Sequence, residues 1–374
     1  MSSEHATLLK DSVTDFVTRG TDIARVRALR GTAGEYDRRL WRQMAELGWL
    51  GIAIPESHGG MGLGLTETAI VAEGLARALT PEPYTACAVL AAGALAASDN
   101  EALKSEMLPR IASGELLLAL AWQEQAGALD SNQIALQAVP FEGGYRLNGT
   151  KRYVVGVAGA DAYLVAGRSD AGLVLACVER DAAGVSADLQ PLADGRHFGT
   201  LTFRDAVVPR ERVAATGASA GAALARALDH ATAIASAELY GVLSRALEMS
   251  VDYMKTRVQF GKPIGSFQAL QHRAVDLYIQ QQLASATLEE SLRELDSDPA
   301  PQARAAIASR LKARCSDAGV RVTREAIQIH GAIGFTDEYD AGLYLKRALV
   351  LAAWLGNGAQ HRRRYAALTL KKEG

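Results

Sequence analysis

The hydrophobic period changes twice along this chain, and no other feature restricts the fold so much. Residues 1 to about 113 carry apolar side chains at helical spacing, with Leu8, Val13, Phe16 and Val17 on one face and Trp41, Met44, Leu47 and Leu50 on a later one. From about Leu116 to Val213 the pattern becomes short apolar runs: Leu116 to Trp122, Ile134 to Val139, Tyr145 to Leu147, Tyr153 to Val157, Ala162 to Ala166, Leu173 to Val178 and Leu201 to Phe203. Asn148-Gly149 falls between two of these runs and reads as a hairpin turn. Helical spacing returns over about 218–256, 267–295, 301–330 and 342–370, with Asp298-Pro299-Ala300-Pro301 as a stop. A mainly α chain with a central β-domain follows. The pattern predicts an N-terminal α-helical domain over 1–114, a middle β-domain (a small sandwich or barrel) over 115–213, and a C-terminal four-helix bundle over 214–374.

Charge and composition exclude several functions. The 374 residues hold 40 Lys+Arg against 42 Asp+Glu, a net charge of -2, which lacks the basic footprint of a dedicated nucleic-acid binder. Arg362-Arg363-Arg364 reads as a solvated helix end. The longest apolar runs, Ala86 to Ala97 and Leu116 to Trp122, are too short to span a bilayer, so no membrane role is expected. Glu4, His5, Lys10 and Asp11 occupy the place where an export signal needs an apolar stretch. Cys87, Cys177 and Cys315 lie far apart with no CxxC, which fits structural thiols in a reducing, cytoplasmic setting. No HExxH or GxxxxGK pattern occurs. His272 and His330 read as packing histidines rather than metal ligands.

Two segments carry chemistry. In Tyr253-Met254-Lys255-Thr256-Arg257-Val258-Gln259-Phe260-Gly261-Lys262-Pro263, a long helix is expected to end at Gly261, with a new one from near Ser266. That places Arg257 and Gln259 beside an aromatic ring at a helix end, where a phosphate and a ring system can be held. In Gln328-Ile329-His330-Gly331-Ala332-Ile333-Gly334-Phe335-Thr336, the glycines let the backbone approach a ligand closely.

With the N-terminal Pro55-Glu56-Ser57-His58-Gly59-Gly60-Met61-Gly62 loop, these segments resemble the acyl-CoA dehydrogenase family, whose PExxGGxG, RxQFGKPIxxFQ and QIHGxxGFTxE signatures they match. The resemblance covers nearly the whole chain. It implies FAD held between subunits of a tetramer, an acyl-CoA substrate desaturated between its α- and β-carbons, and electron-transferring flavoprotein as re-oxidant. Such chemistry needs a desolvated carboxylate to take the α-proton, a flavin to accept hydride, and donors on the thioester oxygen.

The resemblance also shows what is missing. The family's base lies in a Tyr-Glu-Gly-Thr segment that falls here on Trp354-Leu355-Gly356-Asn357, so Leu355 stands where the carboxylate belongs. No Asp or Glu occurs between Asp340 and Glu373. The alternative base, used by the isovaleryl-CoA and long-chain branches, falls on Ala231 in Leu228-Asp229-His230-Ala231-Thr232. Glu238 is two turns further along that helix, about 10 Å away at 1.5 Å per residue, and is a poor substitute. On the side that would hold the chain's own flavin, the expected hydroxyls are lost from Gln123-Glu124-Gln125-Ala126-Gly127-Ala128-Leu129-Asp130 and from Tyr153-Val154-Val155. The expected Thr and Gln there become Asn357 and Ala359. The residues that would reach a neighbour's FAD survive: Arg257, Gln259, Phe260, Gln328 and Gly331. The asymmetry implies a subunit without its own catalytic residue, paired with a homologous chain as in the α2β2 acyl-CoA dehydrogenases of steroid side-chain degradation. A flavin monooxygenase of the same fold and a scaffold-only subunit are the alternatives.

Overall fold

The computed structural model describes residues 3–20, 22–30, 32 and 36–370. Helices α1 (Ser3–Gly20), α2 (Ile23–Ala28), α3 (Arg38–Glu46), α4 (Leu65–Arg77), α5 (Ala92–Ala96) and α6 (Glu101–Ala112) come first, with a fully buried π-helix at Thr85–Ala91. Strands β1 (Leu118–Ala121), β2 (Gln137–Phe141), β3 (Gly144–Val155), β4 (Ala162–Ser169), β5 (Gly172–Glu179), β6 (Val185–Pro191), β7 (His197–Pro209) and β8 (Val213–Thr216) follow. The chain continues through α7 (Gly217–Thr256), the two-residue strands β9 (Val258–Gln259) and β10 (Lys262–Pro263), then α8 (Gln268–Asp296), α9 (Pro301–His330), α10 (Ala341–Ala353) and α11 (Gly358–Thr369). By compactness it forms a bundle unit (Met1–Val26, Ala69–Thr80, Thr232–Gly374) and a sheet unit (Arg27–Thr68, Pro81–Ala231).

In the sheet unit, eight strands join in one sheet of order β6-β7-β3-β2-β4-β5-β8, with β1 beside β4. The pairing is antiparallel except for β1 and β2 against β4. The apolar runs of β4 and β5 are buried almost end to end, as interior strands require. The sequence reading missed β6. Its residues are exposed or half-buried and mixed in polarity, the character of an edge strand.

Asn148-Gly149 is not a turn. β3 continues through it, with a register shift against β7 between Leu147 and Gly149, and the hairpin lies at Phe141–Gly144 instead. Asn148 is tied sideways to β7, its Nδ2 donating to Asp205 Oδ1 at 2.8 Å and its Oδ1 accepting from the Asp205 amide at 2.9 Å. Gly149 is needed for space: a Cβ there would come within 3.2 Å of the Leu136 Cα. Asn100 caps α6 and donates to the Glu211 and Val213 carbonyls, fixing the helix start to the approach of β8.

The bundle unit is organised on α9, which buries Ala308, Leu311, Cys315, Ala318 and Val322 completely or nearly so. Pro301 opens it at the first helical position and Gly331 closes it. The fourth helix expected over 342–370 is two helices. Leu355 (φ 57) and Gly356 (φ 93) take left-handed conformations that no helix continues through, and Asn357 restarts the chain with a capping box to Gln360. The arginine run therefore lies within α11 rather than at a helix end. His272, read as a packing histidine, is exposed. All three cysteines are free and buried. Among the described residues, no helix is long and apolar enough to cross a membrane, and no group of His, Cys, Asp and Glu could hold a metal ion.

Candidate functional site

The first chemistry-bearing segment folds differently from expectation. α7 ends at Thr256, not Gly261, and a tight β9–β10 hairpin follows, because Phe260 (φ 53) and Gly261 (φ 80) turn the chain back. The Arg257 amide donates to the Tyr253 carbonyl at 2.8 Å, and the Ile264 amide closes the hairpin on the Arg257 carbonyl at 2.8 Å. Arg257, Gln259 and Phe260 all face solvent, Phe260 at 90% exposure.

The second segment ends α9. Gln328 is exposed, and Gly331 (φ 64) has no atom within 4 Å of where a Cβ would stand, so its backbone is open to approach. The two segments meet through rings: Tyr253 stacks on His330 at 4.5 Å, and His330 on Tyr339 at 4.5 Å. Arg257, Gln259, Phe260, Gln328 and Gly331 thus lie on two turns whose supporting helices are joined by that stack.

The turn where the resemblance puts the base is built oppositely. Leu355 is 2% exposed. Its turn is held by Lys312, a completely buried residue of α9 whose Nζ donates to the Leu351 and Trp354 carbonyls, the latter at 2.8 Å. His361, also fully buried, donates Nε2–H to the Leu355 carbonyl at 2.7 Å, and its Nδ1 lies 3.3 Å from Ser309 Oγ. Burial lowers Lys312 to about 7, partly opposed by Cys315 and by the Glu238 carboxylate. Burial, with the Lys312 charge beside it, takes His361 down to about 3. Ala231 and Thr232 are buried as well. Neither Leu355 nor Ala231 carries a group that can accept a proton.

Sequence reasoning missed Lys312 and His361. The signal for Lys312 was present: one lysine on the otherwise apolar face Ala308, Leu311, Cys315. A single histidine inside Gln360 to Arg364 gave none.

A cleft of about 640 Å³ opens where α9 passes the N-terminus of α11, lined by Ser316, Arg321, Arg324, Asn357, Gly358 and Arg362 among others. Ser316 Oγ is buried there without a hydrogen-bond partner among the described residues. Arg362 pairs with Asp317, whereas Arg321 and Arg324 form no ion pair among the described residues.

Within the sheet unit, the loop Gln123–Asp130 spends its polar groups on itself and its own sheet. Glu124 accepts from the Ala135 and Leu136 amides and from Lys151 at 2.6 Å. Burial pushes the Glu124 carboxyl up, but Lys151 outweighs this and leaves it below its ordinary range. Burial takes Lys151 down to about 8, with Glu124 opposing. Gln123 Nε2 donates to the Gln125 carbonyl, and Asp130 caps the turn at Ser131–Gln133. Tyr153 packs edge-on against Phe198 at 5.9 Å.

Comparison with known proteins identifies the family. Residues 3–115 match the N-terminal domain of acyl-CoA dehydrogenases and residues 214–369 their C-terminal domain. The chain is 31% identical over 366 residues to the acyl-CoA dehydrogenase IpdE2 of Mycolicibacterium smegmatis, covering 98% of this chain and 99% of that protein. Two solved structures are similar throughout: the Tcur3481-Tcur3483 steroid ACAD (31% identity, TM-score 0.88, 98% and 97% covered) and the ChsE4-ChsE5 complex from Mycobacterium tuberculosis (29%, TM-score 0.89, 99% of each). The chain belongs to the acyl-CoA dehydrogenase family, flavin-dependent oxidoreductases acting on CH–CH bonds.

Proposed function

We propose that this chain is a subunit of a heteromeric, FAD-dependent acyl-CoA dehydrogenase, supplying part of a shared flavin site but no proton-abstracting base. The observation that carries the reading is Leu355, buried on a turn pinned by Lys312 and His361, with Ala231 at the other base position. Removal of an α-proton needs a positioned acceptor, and a homologous partner chain would provide it. The relatives named for a steroid dehydrogenase and for a two-protein complex support a heteromer acting on a steroid-derived or branched acyl-CoA.

The donors present fit FAD. The Arg257 guanidinium suits a diphosphate, the Gln259 and Gln328 amides can serve a ring edge or ribose, the Phe260 ring offers a stacking face, and Gly331 lets its backbone approach. None of these polar side chains is spent on a hydrogen bond to another described residue. FAD, when bound, supplies the hydride acceptor. Electron-transferring flavoprotein would re-oxidise it.

Purification of the chain alone and together with its homologous partner tests the proposal by visible flavin absorbance and native mass. The expected result is a colourless or poorly flavinylated single chain and a yellow, active α2β2 complex. A single chain carrying a full complement of FAD and dehydrogenating an acyl-CoA overturns it. The α9–α11 cleft favours a second reading, a chain that also binds its own flavin diphosphate through backbone amides, Ser316 and the free Arg321 and Arg324. Flavin on the single chain without turnover would select that reading.

A further inference from the structure

We infer that His330 is a positioning residue, its ring packed on Tyr253 as a strut that sets the hairpin bearing Arg257, Gln259 and Phe260 in register with the turn bearing Gln328 and Gly331. The inference rests on the reading that both turns meet one flavin.

Neither turn can set this register from its own side chains. Residues 257 to 263 are all exposed, so the hairpin has no core residue of its own. What seats it is the last turn of α7: the Arg257 amide bonds to the Tyr253 carbonyl, and Gly265 returns so close that a Cβ would lie 2.9 Å from the Met254 carbonyl oxygen. On the other side Gly334 folds back on α9, where a Cβ would be 2.8 Å from the Ile327 carbonyl oxygen. Each turn is therefore rigid on its own helix end, and what remains is the relation between the two ends.

The rings supply that relation. Tyr253 lies one turn before Arg257, and His330 lies between Gln328 and Gly331. Their centroids are 4.5 Å apart at 35°, and Tyr339, just before α10, packs on His330 at 4.5 Å and 39° and on Tyr253 at 6.1 Å and 60°, so the three rings form one cluster. His330 is 3% exposed, and its Nδ1 donates to the Ala326 carbonyl at 2.7 Å, which fixes how the ring is rotated. A carbonyl only accepts, so the proton is on Nδ1. Phenylalanine would keep the stack and lose that anchor. Alanine would lose both.

Amide hydrogen exchange on the intact chain, with no flavin added, tests the coupling. His330→Ala is expected to speed exchange roughly tenfold at the Ile264 amide, which lies far from the mutation in sequence, as well as at the Thr336 amide. His330→Phe should stay within about threefold of wild type at Ile264. Tyr253→Leu approaches the strut from the other side and should loosen Thr336, so the test survives if His330→Ala does not fold. Faster exchange confined to the mutated turn in both variants overturns the inference. In the assembled complex, His330→Ala should weaken FAD binding about tenfold with partial rescue by His330→Phe. Unchanged affinity there also overturns it. A wild-type complex without flavin instead defeats the functional reading, and the exchange result stands apart from it.

Discussion

Two sets of turns in the bundle unit follow opposite rules. The hairpin after α7 and the turn after α9 hold their candidate side chains out to solvent, with the Arg257, Gln259 and Gln328 side chains bonded to no other described residue. The turn between α10 and α11 points Leu355 inward and pins its backbone from beneath with Lys312 and His361. Groups meant for another molecule keep their bonding capacity. Groups that hold the chain use theirs up. Under this contrast, substitutions in the second set should change stability and substitutions in the first should change binding.

The largest effect is expected at Lys312. Lys312→Ala removes two buried hydrogen bonds and leaves the Leu351 and Trp354 carbonyls without a donor, a loss of about 2–5 kcal/mol in denaturant unfolding. A loss below about 0.5 kcal/mol, the range of a surface change, would break the contrast.

Next in size is a pH dependence. Lys312 is held near 7 in the folded chain against its ordinary 10.5, so the unfolded chain binds that proton more tightly. Stability should therefore rise as pH climbs from 7 to 10.5, by on the order of 1.4 kcal/mol per pH unit at most. His361, near 3 when folded against 6.5, adds a separate rise between those values and a corresponding loss as pH falls through them. Stability curves for Lys312→Met should lose the upper slope and keep the lower one. If the upper slope persists, another group carries it.

Arg257→Ala comes third. In the assembled complex it should weaken FAD binding by roughly 10- to 100-fold, the worth of a charge-assisted hydrogen bond. The unfolding free energy should move by less than about 0.5 kcal/mol, since the side chain is exposed and unpaired. An equal loss of both properties would merge the two sets of turns into one.

How much of this was legible in sequence depended on whether the signal was local. The switch from helical to strand spacing located the sheet because β4 and β5 are apolar throughout, and Pro301 marked the start of α9 as expected. Asn148-Gly149 misled, because its turn chemistry was outweighed by pairing with β7, a strand far along the chain. Helical spacing over 342–370 hid a break that rests on two left-handed residues, one of them a leucine. The five residues proposed to meet a flavin could be singled out because they sit in contiguous motifs. Lys312 offered only its place on an apolar face and His361 nothing, because their roles exist through carbonyls some 40 and 6 residues away along the chain.

The smallest effect has the most telling sign. Phe260 is 90% exposed and holds φ 53, a conformation that costs a non-glycine residue about 1 kcal/mol. Its edge-on contact with Phe267 at 6.2 Å recovers little of that at the surface. The fold gives the ring little return for that cost, and under the proposed function its use lies in what it meets outside the chain. Phe260→Gly should relax the hairpin and raise stability by a few tenths of a kcal/mol up to about 1, while lowering FAD affinity in the complex about three- to tenfold through loss of a stacked ring. Binding and stability then move in opposite directions from one substitution, which no residue of the Lys312 set can do. A Phe260→Gly chain less stable than wild type would mean that the ring serves the fold, and the division between the two sets of turns would fail at its most exposed member.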